Sequence, residues 1–164
     1  MGLKNLLGGL LGGLIPLTSS HTVPGKVTAN YDEFKDVTSI TVQGQRVGEQ
    51  PVLYGRDSFS GRKPKSDESP AIGFLMTYAC PHPNFLADGK RVPPDKATET
   101  LPGMDYGFYP GPGIGYRYVY NYYDLPQIEQ IATAKSVRYK VCNDVHTLKP
   151  QDQVYLQQFL AHFK

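Results

Sequence analysis

Between Tyr106 and Asp124 the chain gathers seven of its twelve tyrosines, and in Tyr116-Arg117-Tyr118-Val119-Tyr120-Asn121-Tyr122 they fall on every second residue. A strand turns alternate side chains to one face, whereas a helix repeats about every 3.6 residues, so this spacing predicts a strand carrying a ladder of four tyrosines. The preceding Pro110-Gly111-Pro112-Gly113-Ile114-Gly115 cannot be helical, because each Pro removes a donor and each Gly loosens the backbone; it reads as a bent loop feeding the strand. Two roles stay open for Tyr116, Tyr118, Tyr120 and Tyr122. They form a wall of the core with their hydroxyls at its rim, the plainer reading, or an open stacking platform. Tyr106, Phe108 and Tyr109 sit in the loop with no regular element to bury them, and read as exposed contacts.

A chain of 164 residues fits one domain and can bury a core without staples. Its seventeen Gly and fourteen Pro predict many turns and short elements rather than a helical bundle. The net charge is only +2, with acids and bases interspersed, which argues against a nucleic-acid partner. The one basic cluster, Arg56, Arg62, Lys63 and Lys65, is flanked by Asp57, Asp67 and Glu68 and reads as a solvated loop.

At the start of the chain, one early cation precedes an apolar run from Leu6 to Leu17 and then Thr18-Ser19-Ser20. This is the layout of an export leader, and the run is shorter than the ~20 residues of a spanning helix. Leu17-Thr18-Ser19 resembles the start of a lipobox, but Ser20 stands where lipidation requires Cys. The competing reading is a retained helix, with Leu3, Leu7, Leu10 and Leu14 on one face, docked on a partner or a membrane surface. Residues 1–20 are therefore read as leader or retained apolar helix, the one place of membrane contact. Residues 21–30 read as a linker and 31–164 as a single domain.

Within that domain, Val37-Thr38-Ser39-Ile40-Thr41-Val42 has the β-branched composition of a strand, followed by a turn at Gln43-Gly44-Gln45. Pro51 to Tyr54 is a second short strand, and Arg56 to Ser69 reads as a long exposed loop. Ala71 to Cys80 is apolar enough for a central strand buried on both faces. Pro81 to Met104, with five prolines, reads as an irregular excursion. After the ladder, Asp124 as N-cap and Pro126 in the first turn predict a short helix with Ile128, Ile131 and Ala132 on one face. Val137, Tyr139 and Val141 alternate against Arg138 and Lys140 as a strand with one wet face. A last helix from His146-Thr147-Leu148-Lys149-Pro150 carries Leu156, Phe159, Leu160 and Phe163. The expected fold is α+β: a single, about five-stranded, mostly antiparallel sheet with C-terminal helices on one face, the ladder held between Ala71–Cys80 and Val137–Cys142.

The succession helix, strand, turn, helix from Ile128 to Phe163, with Tyr31-Asp32-Glu33-Phe34-Lys35-Asp36 ahead of the first strand, resembles small exported bacterial domains of unknown function, lipoproteins among them. The resemblance implies an envelope or periplasmic location and supplies no catalytic residue.

Chemistry is sparse. Cys80 and Cys142 end two of the expected strands, and each has a histidine nearby, His82 and His146. In an oxidising compartment the two are disulfide candidates, provided their Cα atoms come within about 7 Å; unpaired structural thiols are the alternative. Together the four residues could supply Cys2His2 donors, but neither pair has the spacing of known zinc modules. A Cys-His nucleophile with Asn143 or Asp144 as orienter lacks any recognisable nucleophile motif. No cofactor or metal is expected. The leading expectation is a non-catalytic binding or structural component of the bacterial cell envelope that meets a protein or glycan partner through Tyr106, Phe108, Tyr109, Tyr116, Tyr118 and Tyr120. The alternatives are a Cys/His-dependent secreted enzyme or redox protein, and a subunit docked by its N-terminal helix.

Overall fold

The β-branched run near the start folds as its composition predicts, with Thr38, Ile40 and Val42 buried and their neighbours partly open. The structure is a computed structural model that describes residues 22–47, 50–65, 67–76, 83–95 and 117–164. Its strands in chain order are β1 (Thr22–Val23), β2 (Lys26–Asp32), β3 (Val37–Gln43), β4 (Arg46–Val47), β5 (Val52–Ser60) and β6 (Ala71–Met76). They continue with β7 (Asn84–Ala87), β8 (Lys90–Val92), β9 (Arg117–Tyr122), β10 (Val137–Val141) and β11 (Asp144–Thr147). Helix α1 (Leu125–Thr133) lies between β9 and β10, and α2 (Pro150–Leu160) follows β11, ending in a 3-10 turn at Ala161–Phe163.

The fold is α+β, mostly antiparallel sheet with two short helices, but the strands divide among three sheets rather than one. The largest has the order β2-β3-β5-β6-β9, the second β11-β10-β7-β8, and β1 pairs with β4 alone. β6 is an interior strand of the first sheet, between β5 and the edge strand β9, and is buried on both faces except at Leu75. Aromatic rings join the two larger sheets. Phe74 of β6 stacks on Tyr139 of β10 with ring centroids 4.0 Å apart, and meets Phe85 of β7 at 5.7 Å. Tyr123 packs edge-on against Phe85, so the residue just after the ladder belongs to the core.

Several expectations are corrected. Residues 21–30 are not a bare linker, since β1 and most of β2 fall there, and β2 pairs with β3 along its whole length. β5 runs on to Ser60, through what reads as loop, because β3 pairs with it as far as Ser60 and tolerates polar residues on the side away from the core. The irregular excursion contains the hairpin β7–β8. Its turn Asp88-Gly89 holds φ of +49° and +78°, the mirror-image turn that suits strand twist and favours Asp-Gly. Asp88 then accepts hydrogen bonds from the backbone N–H groups of Lys135 and Ser136, which ties the hairpin to β10. His146 lies in β11, not in a helix; α2 begins at Pro150, where a proline costs no intrahelical bond. The ladder strand β9 is an edge strand beside β6, and β10 belongs to the other sheet.

The helices follow their local signals. Asp124 caps α1 by accepting from the Gln127 N–H at 2.8 Å, while the Gln127 side chain accepts from the Asp124 N–H at 2.9 Å. At its other end, α1 leaves carbonyls without intrahelical donors. Gln153 of α2 donates to the carbonyls of Ile131 and Ala134, and Gln157 donates to that of Ala132. Ile128 and Ile131 of α1 join Leu156, Phe159 and Leu160 of α2 in one core, with α2 against β2 and β3 and α1 against β7 and β8.

One acid is drawn into this packing. Asp152, in the first turn of α2, is only 5% exposed and accepts from the Gln45 N–H at 3.1 Å, and Gly44 leaves it room that a side chain there would fill. Burial raises its pKa above the ordinary 3.8, with the Gln45 bond and Lys149 pulling the other way. A raised acid contributes its full stability below the unfolded value and loses it as pH rises through the folded value. Asp152→Asn keeps an acceptor without the buried charge. At pH 7 this variant is expected to be at least as stable as the wild type to urea, with the gap closing on acidification toward pH 3.8; lower stability at pH 7 would show that the charge outweighs its burial.

Candidate functional site

The alternation in β9 divides its residues between two faces. Val119 pairs with Phe74 and Asn121 with Ile72, and both are buried on the core side. Tyr118, Tyr120 and Tyr122 are half-buried on the opposite face. The ladder is therefore not the wall of the core, because Val119, Asn121 and Tyr123 take that role. Asn121 also donates to the Pro83 carbonyl at 2.8 Å, which links this edge of the sheet to the start of β7.

Register brings further residues to the tyrosine face. Tyr54 of β5 is opposite Gly73 of β6, and Gly73 is opposite Tyr120 of β9. Tyr54 meets Tyr118 with ring centroids 4.2 Å apart, tilted by 44°. Tyr120 and Tyr122 pack at a right angle 5.7 Å apart, and the Arg56 guanidinium lies 5.6 Å from the Tyr120 ring. Gly73 makes the approach of these strands feasible, since a β-carbon there would collide with the carbonyl of Val119 and the Cα of Tyr120. Burial raises the Tyr54 hydroxyl pKa, with Arg56 opposing, so the ring stays neutral and can donate through its hydroxyl at ordinary pH.

At the end of this face, where β6 begins, a cavity of about 300 Å³ is lined by Arg56, Asp57, Ser58, Ala71 and Tyr122. Asp57 Oδ1 accepts from the Ser58 N–H at 2.9 Å, but its buried Oδ2 has no hydrogen-bond partner. Burial raises the Asp57 pKa, with the nearby Glu68 carboxylate adding to the rise and the Ser58 bond lowering it. The site can therefore stack a flat apolar surface on tyrosine rings, donate a hydrogen bond from Arg56, and donate or accept one at the exposed Ser58 hydroxyl.

Of the residues expected to bind, Tyr118 and Tyr120 lie on this face, while Tyr106, Phe108, Tyr109 and Tyr116 lie outside the described residues. Tyr54, Arg56 and Gly73 join the site without having been expected, Arg56 because β5 reads as loop beyond Tyr54. The period-two spacing of Tyr54, Arg56 and Ser58 was their signal.

The cysteine and histidine chemistry is not assembled in one place among the described residues. Cys80 and His82 lie outside them. Cys142 occupies the turn between β10 and β11 and carries no free thiol. His146 stacks on Tyr139 at 5.2 Å, and its buried Nε2 has no hydrogen-bond partner. No group of three or more His, Cys, Asp or Glu among the described residues is arranged to hold a metal, and no described helix is long and apolar enough to cross a membrane. Comparison with family models, with curated proteins and with solved structures finds no match to this chain.

The dependence of the tyrosine face on Gly73 is directly testable. Gly73→Ala is expected to destabilise the protein by roughly 1–3 kcal/mol, the range for forcing a methyl into packed surroundings. Urea unfolding measures it, and a neutral outcome would mean that β6 and β9 can separate at little cost.

Proposed function

We propose that the chain is a non-catalytic binding protein of the bacterial cell envelope, and that the outward face of the β2-β3-β5-β6-β9 sheet holds a glycan. The observation that carries this reading is the juxtaposition of the Tyr54, Tyr118 and Tyr120 rings with a polar cavity lined by Arg56, Ser58 and Tyr122. A sugar ring has an apolar face that packs on tyrosine and hydroxyls that need both donors and acceptors, which Arg56 and Ser58 provide. The loop bearing Tyr106, Phe108 and Tyr109 leads into the same strand and extends the contact surface in this reading, with Tyr116 at the junction.

The bridge between Cys80 and Cys142 belongs to the same proposal. Cys142 has φ of +56°, a left-handed conformation that disfavours any residue with a β-carbon and that a turn normally assigns to Gly, Asn or Asp. A cysteine held there at that cost is explained by its sulfur, and Cys80 is the chain's other cysteine. A bonded Cys142 has no thiolate to offer as a nucleophile, which is why binding is preferred to Cys/His catalysis.

Two outcomes test this reading. Wild-type protein is expected to co-sediment with purified peptidoglycan sacculi, and the double variant Tyr54→Ala/Tyr120→Ala to bind at least about tenfold more weakly, a loss of ~1.4 kcal/mol. Equal sedimentation of wild type and variant, or none by a folded wild type, would remove the glycan assignment. Cys142→Ser is expected to lower stability by roughly 2–5 kcal/mol, and the intact mass of unreduced wild type to be lighter than the reduced chain by two hydrogens. An unchanged mass on reduction would show two free thiols.

A further inference from the structure

The second large sheet also has a face turned away from the core, and its composition differs from that of the tyrosine face. Register sets Arg138 opposite Leu86 and Leu86 opposite Arg91, so one row across the sheet reads Thr147, Arg138, Leu86, Arg91. The adjacent row reads Val145, Lys140, Asn84. No acid occupies either row. Arg91, Arg138 and Lys140 are exposed, and none forms an ion pair among the described residues. The two arginines stand two strand spacings apart, about 10 Å, on either side of Leu86. Val145 is 60% exposed, and a shallow groove of about 350 Å³ runs over the floor these residues share.

We propose that this face docks on an anionic membrane surface. Three unpaired cations around an apolar centre match a bilayer interface, where phosphate groups and the first acyl carbons lie at neighbouring depths. The long Arg and Lys stems can lie along the apolar layer while their heads reach the phosphates. An acidic peptide would match the cations alone and would leave exposed Val145 without a partner. The Tyr54–Tyr120 face lies on the other sheet and stays free for its own ligand. Docking is then reversible and salt-sensitive, because the attraction falls off within a Debye length of about 8 Å at physiological salt.

The test is co-sedimentation of the full chain with phosphatidylcholine vesicles containing phosphatidylglycerol, against vesicles of phosphatidylcholine alone. Binding is expected only to the anionic vesicles and is expected to weaken with added salt. Arg138→Glu/Lys140→Glu is expected to reduce it at least about tenfold, since each basic residue near such a surface is worth about fivefold. Both side chains are exposed, so the variant should unfold at the wild-type temperature; Arg138→Gln/Lys140→Gln, with an intermediate loss, supports the same conclusion if it does not. Tyr54→Ala/Tyr120→Ala should bind vesicles as wild type does, which separates this proposal from the glycan site. Equal binding to neutral vesicles, or no difference between wild type and the charge-reversed variant, overturns the assignment. Tighter binding to a polyglutamate peptide than to vesicles, lost in the same variant, would assign the face to an acidic protein instead.

Discussion

The stack of Phe74 on Tyr139 is the contact on which the rest of the architecture depends. Phe74 lies on an interior strand of one sheet and Tyr139 on an interior strand of the other, and their rings lie 4.0 Å apart and nearly parallel. Two antiparallel sheets with one apolar face each need such a junction to form a single core, because neither sheet can bury that face alone. Phe85 and Tyr123 widen the junction, and the helices complete it by packing on each other and on both sheets. With these aromatic residues committed inward, each sheet is left with an outward face. Those two faces carry the proposed chemistry.

The faces diverge because β-strand side chains alternate. In β9 the inward residues are Val119 and Asn121 and the outward ones are tyrosines. In β10 the inward residues are Val137, Tyr139 and Val141 and the outward ones are Arg138 and Lys140. A shift of one residue in either register would send the cations or the tyrosine hydroxyls into the core. The core's requirement for apolar residues therefore determines which residues are presented, and the tyrosine-bearing and the cationic surfaces both follow from it.

Much of the fold was legible residue by residue. Asp124 and Pro126 announced a capped helix, Val137 to Val141 a half-wet strand, and Ala71 onward a strand buried on both faces. The Asp88-Gly89 hairpin was legible too, but the surrounding prolines suggested irregular chain. β2 and the second half of β5 were hidden for another reason: their residues are polar on one side and weakly apolar on the other, and they become strands because β3 pairs with both. Such pairing depends on a partner far along the chain, which no local window contains. The same limit applied to the site. Tyr118 and Tyr120 stood out by spacing, whereas Tyr54 and Arg56 become visible only when β5 is set two strands away from β9.

By itself the sequence determined that the tyrosines of β9 share one face, that the chain is α+β, and that short antiparallel elements dominate. These follow from side-chain period and turn chemistry, which are local. Tertiary structure alone decided that the strands form separate sheets, that Val119 and Asn121 take the core side, and that Arg91, Arg138 and Lys140 meet around Leu86. Those outcomes depend on which strands pair and in what register, and register is set by the burial of apolar residues across the whole core.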